Sequence, residues 1–189
     1  MRQLFLYKKH STYNFKLLIA SGLLIVACPC GRIIATKVPH AQDAFAPVYV
    51  TVMYAPANRR DRFLFLDNLA QNHASLLPIC NHRHILLGDF NYTYATHLSS
   101  SPPRQAPIPW LSFVDAQLQE CVTDLDCAPE ITFSKSAARS CIDYVFGSLG
   151  LYECKVSSTV TFIQPSWFVA GTSTSGIFGF LLQPCSPND

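Results

Sequence analysis

Strand-like and helix-like runs alternate along the chain. Residues 23–26 (LLIV) and 32–37 (RIIATK) are branched and apolar on either side of Cys30-Gly31. That spacing predicts a β-hairpin. Residues 48–54 (VYVTVMY) end at Ala55-Pro56 and predict a central strand broken by proline. Asn58 can cap a helix running from Arg59 to about Ser75, on which Phe63, Leu66, Leu69 and Ala70 share a face. Residues 84–87 predict a short apolar strand, with Gly88 opening a sharp loop after it. Residues 92–109 form a polar, proline-rich excursion. Pro109 then opens a second amphipathic helix with Trp110, Phe113, Val114, Gln117 and Leu118 on one stripe. Short strands are predicted at 131–133, 142–146 and 156–163, whereas residues 165–189 have poor periodicity. Strands outnumber helices, so a sheet-dominated α/β sandwich covered by helices is favoured over a doubly wound parallel sheet.

Composition narrows this picture. A chain of 189 residues is enough for one domain and short for two. Its hydrophobic fraction of 49% permits a sizeable core, while its charged fraction of 14% is low beside roughly a quarter in an ordinary soluble domain. The net charge is +2, and Arg2, Lys8, Lys9 and Lys16 stand among the first sixteen residues without an acid. The rest of the chain is therefore slightly acidic, so no basic footprint covers the body and any nucleic-acid contact must be local.

Residues 17–28 (LLIASGLLIVAC) carry no charge and follow several bases, the shape of a signal-peptide core. The run is short of the about 20 residues of a membrane span. A buried strand is the preferred reading because residues 32–37 continue as its hairpin partner. A cytoplasmic or nuclear location is accordingly expected over secretion, with no stable membrane span. The eight cysteines contain no Cys-x-x-Cys pair and read as free thiols. Cys80, His82 and His84 alternate and could share a strand face, but no fourth ligand for a zinc ion is indicated.

Three stretches carry candidate chemistry. In residues 86–92 (LLGDFNY) an apolar strand delivers Asp89 and Asn91 just past its end, where sites are commonly built. Asp89 can accept a proton from water or hold a hard cation, and Asn91 can donate to a phosphate oxygen. An Asx turn, in which both side chains only cap backbone groups, is the structural alternative. In residues 52–58 (VMYAPAN) a proline turn fixes Tyr54 at a strand end, either lining a cleft or packing at the core edge. In residues 140–146 (SCIDYVF) Asp143 is an acid within an apolar strand, so it needs a partner unless it faces water.

In this order, residues 52–58, 85–92 and 140–146 resemble the endonuclease/exonuclease/phosphatase superfamily, in the spacing of its retrotransposon-type branch. The most specific element is Gly88-Asp89-Phe90-Asn91. Residues 22–165 can be laid on the family pattern as a partial domain, leaving residues 1–21 unmatched and residues 166–189 as a divergent tail. The resemblance implies a four-layered α/β sandwich, with two packed, mainly antiparallel sheets flanked by helices, truncated at both ends. It implies phosphodiester hydrolysis with Mg²⁺ and DNA as the substrate, although RNA or a small phosphate ester would suit the same chemistry. Asp89 matches the acid that activates water, Asn91 the residue that orients the phosphate, Tyr54 the tyrosine lining the phosphate site, and Asp143 the acid that orients a catalytic histidine. Asp89 and Asn91 are also the candidate metal ligands.

Two parts of the pattern have no counterpart. Residues 1–42 contain neither Asp nor Glu, so the metal-binding Glu has no candidate. No histidine follows His97, so Asp143 lacks its imidazole partner. Each such group commonly contributes a few kcal/mol to the transition state, and losing both would cost on the order of a millionfold in rate. Impaired hydrolysis is therefore expected, with a non-catalytic phosphate- or nucleic-acid-binding remnant as the alternative. In that alternative Arg59, Arg60 and Arg62 would touch phosphates.

Overall fold

A computed structural model describes residues 6–7, 16–17, 23–27, 30–39, 46–72, 77, 83–94, 105–121, 131–135, 138–152, 155–163 and 175–182. The apolar runs form strands β1 (Leu6–Tyr7), β2 (Lys16–Leu17), β3 (Leu23–Ala27), β4 (Ile33–Val38), β5 (Val48–Tyr54) and β6 (His84–Asp89). They continue as β7 (Leu118–Glu120), β8 (Phe133–Lys135), β9 (Ala138–Ser140), β10 (Asp143–Ser148), β11 (Lys155–Ile163) and β12 (Ser175–Leu182). The helices are α1 (Arg59–Gln71), α2 (Ile108–Gln117) and the short α3 (Leu149–Tyr152).

Six strands make one mixed sheet in the order β3-β4-β5-β6-β10-β7. Its one parallel pair is β5 with β6, and all its other pairs are antiparallel. A parallel pair needs a crossover, and α1 lies within the connection that supplies it. The expected hairpin is present as β3 against β4, so residues 23–27 of the apolar run are a sheet strand. Gly31 takes a left-handed φ of 67° in its turn. Strands β11 and β12 form a separate antiparallel pair, so the poorly periodic tail also holds a strand. Among the described residues no helix is long and apolar enough to cross a membrane.

Helix α1 starts where Asn58 predicts. The Asn58 Oδ1 accepts the backbone N–H groups of Arg60 at 2.9 Å and Asp61 at 3.3 Å. Helix α2 begins one residue before the expected proline and has no side-chain cap. Leu118, assigned by its stripe to that helix, instead starts β7, because the chain turns into an extended conformation there.

Successive strand residues face opposite sides of a sheet. One side presents Ile33, Met53, Leu86, Tyr144 and Phe146 to Leu66 and Leu69 of α1 and to Trp110 and Val114 of α2, forming the main core. The Trp110 indole donates at 2.9 Å to the hydroxyl of buried Tyr92, tying α2 to the loop after β6. The opposite side carries Val50, Val52, Ile85, Leu87 and Val145, and these are buried too. A sheet dry on both faces needs a layer on each, which agrees with the α/β layered architecture.

His84 opens β6 fully buried, its Nε2 2.9 Å from Thr51 Oγ1. Burial pushes its pKa down to about 4, so the ring is neutral in the fold. An unfolded chain would protonate it below its ordinary value of 6.5. Stability is therefore fully retained above that pH and drains away as pH falls from 6.5 toward 4, by on the order of 3 kcal/mol in all. Urea midpoints measured between pH 7 and pH 5 should fall in the wild type and stay flatter in His84→Phe. Parallel curves would contradict this. Cys80 and His82 lie outside the described residues.

Cys30, at the β3–β4 turn, is in a disulfide, which corrects the reading of uniformly free thiols. Cys121 and Cys141 are buried thiols outside any disulfide, and burial lifts the Cys141 thiol to about 11.

Candidate active site

The three motifs meet at one end of three adjacent strands. Tyr54 at the end of β5 is the register partner of Asp89 at the end of β6. Asp89 is in turn the partner of Asp143 at the start of β10. Partners across a sheet project from the same face, with strands about 4.8 Å apart, so the three side chains form a single row about 10 Å long. They stand on the face opposite the helices. The row is locked beyond the strand ends, where Ala55 N–H donates to Asp89 O at 2.8 Å and Phe90 N–H to Ile142 O at 2.8 Å.

Gly88 and Asp89 continue β6 rather than opening a loop, which corrects the sequence reading. The chain leaves the sheet at Asn91, in the left-handed region with φ 54°. The Asn91 backbone N–H donates to Asp89 Oδ1 at 2.9 Å, so the Asx turn is present. The Asn91 Nδ2 donates to Ala55 O at 2.7 Å, which draws its side chain back toward the β5 turn. All four sequence-predicted residues, Tyr54, Asp89, Asn91 and Asp143, are thus brought together. Asp89 is 5% exposed, and Tyr54, Asn91 and Asp143 are half-buried.

Behind this row lies an aromatic wall. Phe90 meets Tyr92, Tyr144 and Phe146 edge-on, at centroid separations of 6.0, 5.9 and 5.3 Å. Burial raises the pKa of Tyr92 and Tyr144 above the ordinary phenol value, so both hydroxyls stay protonated. The Tyr144 hydroxyl donates to Cys141 O at 2.9 Å and accepts the Tyr94 N–H at 2.9 Å. The Tyr94 hydroxyl donates to the Asp115 carboxylate on α2.

One residue that the sequence reading did not place, Thr132, also shapes the site. The Thr132 hydroxyl oxygen accepts the backbone N–H groups of Ile142 at 3.0 Å and Asp143 at 3.1 Å, fixing the start of β10. Thr132→Val leaves both donors without that acceptor and should cost about 2 kcal/mol, read from urea unfolding, while Thr132→Ser should cost much less. Equal losses in the two variants would contradict this role.

Arg62, offered by the sequence as a phosphate contact, is 5% exposed and corrects that expectation. Its guanidinium donates to the carbonyls of Gln105 at 3.1 Å, Pro56 at 3.2 Å and Ala57 at 2.8 Å, bracing the loop after Tyr54. Burial, and then Arg59, lower its pKa from the ordinary value, while Tyr92 and Asp89 act in the opposite sense. Arg59 and Arg60 are exposed, and Arg59 lies over the Phe63 ring at 4.8 Å.

A divalent cation such as Mg²⁺ needs several oxygen ligands around one point. Among the described residues no three His, Cys, Asp or Glu side chains form such a group. Asp89 and Asp143 share the row, but Asp89 Oδ1 already accepts from Asn91. The donors among the described residues do not complete a metal set.

No protein-family model matches the chain, and no curated protein matches it in sequence. Solved structures do share its fold. The endonuclease domain of TRAS1, a telomere-specific non-LTR retrotransposon, superposes with a TM-score of 0.58 at 14% identity, covering 89% of this chain and 71% of that one. The 3' phosphatase NExo from Neisseria, bound to product DNA hairpin, gives 0.51 at 13% identity, covering 80% of this chain and 65% of that one. The 3'-5' exonuclease NExo from Neisseria meningitidis gives 0.51 at 14% identity, with 80% and 64% covered. This chain thus spans slightly less than two thirds of the Neisseria structures. At these identities the likeness is one of fold: the chain shares the layered α/β architecture of these nuclease and phosphatase structures.

Proposed function

We propose that the chain is a phosphodiester-directed domain that binds the backbone of DNA and hydrolyses it weakly or not at all. The observation that carries this reading is the shared register of Tyr54, Asp89 and Asp143, with Asn91 folded back beside them. An aromatic hydroxyl and two carboxylates in one row, with an amide beside them, suit a phosphate and a water placed for attack on it. DNA is the favoured substrate class because one structural neighbour is bound to a DNA hairpin product and another is a retrotransposon endonuclease domain. Weak hydrolysis follows from the donor count. In-line attack needs positive charge against the developing oxyanion; among the described residues no metal set is complete, and no histidine follows Asp143 in the sequence.

Plasmid nicking with added Mg²⁺ tests this reading. Supercoiled DNA should convert slowly or not at all, and Asp89→Ala should remove what conversion there is. Fast nicking that survives Asp89→Ala would overturn the site.

A further inference from the structure

The row that holds the candidate site does not stop at Tyr54. Tyr54 N–H donates to Arg32 O at 2.9 Å, so Arg32, one residue before β4, extends the row by one more strand. The Arg32 guanidinium sits over the Tyr54 ring, 5.3 Å from its centroid. Its Nη1 donates to Tyr54 O at 3.5 Å, a long bond. A guanidinium has five N–H donors, and this is the one it commits to a partner among the described residues. It is half-buried, held at the strand entrance, and braced by an aromatic face. Charge along the row therefore runs from a cation, across a tyrosine, to two acids. Arg32 stands two strand spacings from Asp89 and three from Asp143, about 10 and 14 Å along the row.

We propose that Arg32, stacked on Tyr54, is the phosphate anchor of this site, so that the chain holds a DNA backbone without a divalent cation. This inference rests on the proposed function and deepens it. Among the described residues, the unfinished metal set at the acidic end and the guanidinium with most of its donors unspent at the other end point the same way. Positive charge is supplied by the chain itself.

Fluorescence anisotropy with a labelled 20-base-pair duplex tests this, run over a salt series once in Mg²⁺ and once in EDTA. Wild type should bind in EDTA within about threefold of its affinity in Mg²⁺. Arg32→Met should bind about tenfold more weakly, with the salt slope reduced by about one, and Arg32→Lys should recover part of the loss. Matched circular dichroism and melting curves would show that the variants keep the fold. Binding that vanishes in EDTA, or that Arg32→Met leaves unchanged, overturns the anchor while leaving DNA binding by the domain standing. Absence of wild-type binding at low salt in both buffers overturns the proposed function and the anchor together.

Discussion

Gly88→Ala is expected to abolish the soluble fold. Gly88 has φ 141°, a region that side-chain-bearing residues rarely enter. A Cβ built there would lie 1.9 Å from Met53 O, 2.9 Å from Met53 C and 3.0 Å from Met53 N. All three are backbone atoms of the neighbouring strand β5, so no side chain can rotate away. To admit one methyl group, β5 and β6 must separate at the register pair Met53–Gly88. That would break the ladder that aligns Tyr54 with Asp89. The cost should exceed about 4 kcal/mol, a large share of an ordinary domain's 5–15 kcal/mol. Soluble yield and a urea titration measure it. A Gly88→Ala protein that melts within a few degrees of wild type would contradict the close approach.

Asp89→Asn is expected to separate chemistry from architecture. The amide keeps an oxygen where Oδ1 accepts the Asn91 N–H, so the turn should survive with a loss near 1 kcal/mol. A carboxamide cannot take a proton from water. Residual nicking should fall about a hundredfold or below detection. DNA affinity should hold or rise slightly, because one negative charge leaves the row. Asp89→Ala removes the acceptor as well and should be less stable than Asp89→Asn. Nicking by Asp89→Asn at the wild-type rate would remove Asp89 from the reaction. Equal stability of the two variants would mean that the Asx turn contributes little.

Much of this arrangement was legible in the residues because local chemistry announces it. The capping amide of Asn58 and the branched run of residues 48–54 gave α1 and β5 their places. The Gly-Asp-Phe-Asn element led to the site. What stayed hidden depends on neighbours distant in sequence. Gly88 reads in the sequence as a loop opener because glycine commonly marks a turn. It lies in a strand because β5 passes too close for any side chain. Arg62 reads as an exposed base until the loop carbonyls of Pro56 and Ala57 are seen to enclose it. The tail strand Ser175–Leu182 is not legible in the sequence because its residues give no alternation. Arg32 is one charge at a hairpin turn, and its meaning comes from sitting beside Tyr54 in the register.

The lone parallel pair, β5 with β6, is a seam between two sequence-local halves. Strands β3, β4 and β5 belong to the first, and β6, β7 and β10 to the second. Arg32 and Tyr54 lie on one side of that joint, and Asp89, Asn91 and Asp143 on the other. Neither half owns the candidate site. A ribosome that has delivered only the first half has made a cation and a tyrosine with no acids to face, and any molecule showing the joined polar row has already closed its sheet.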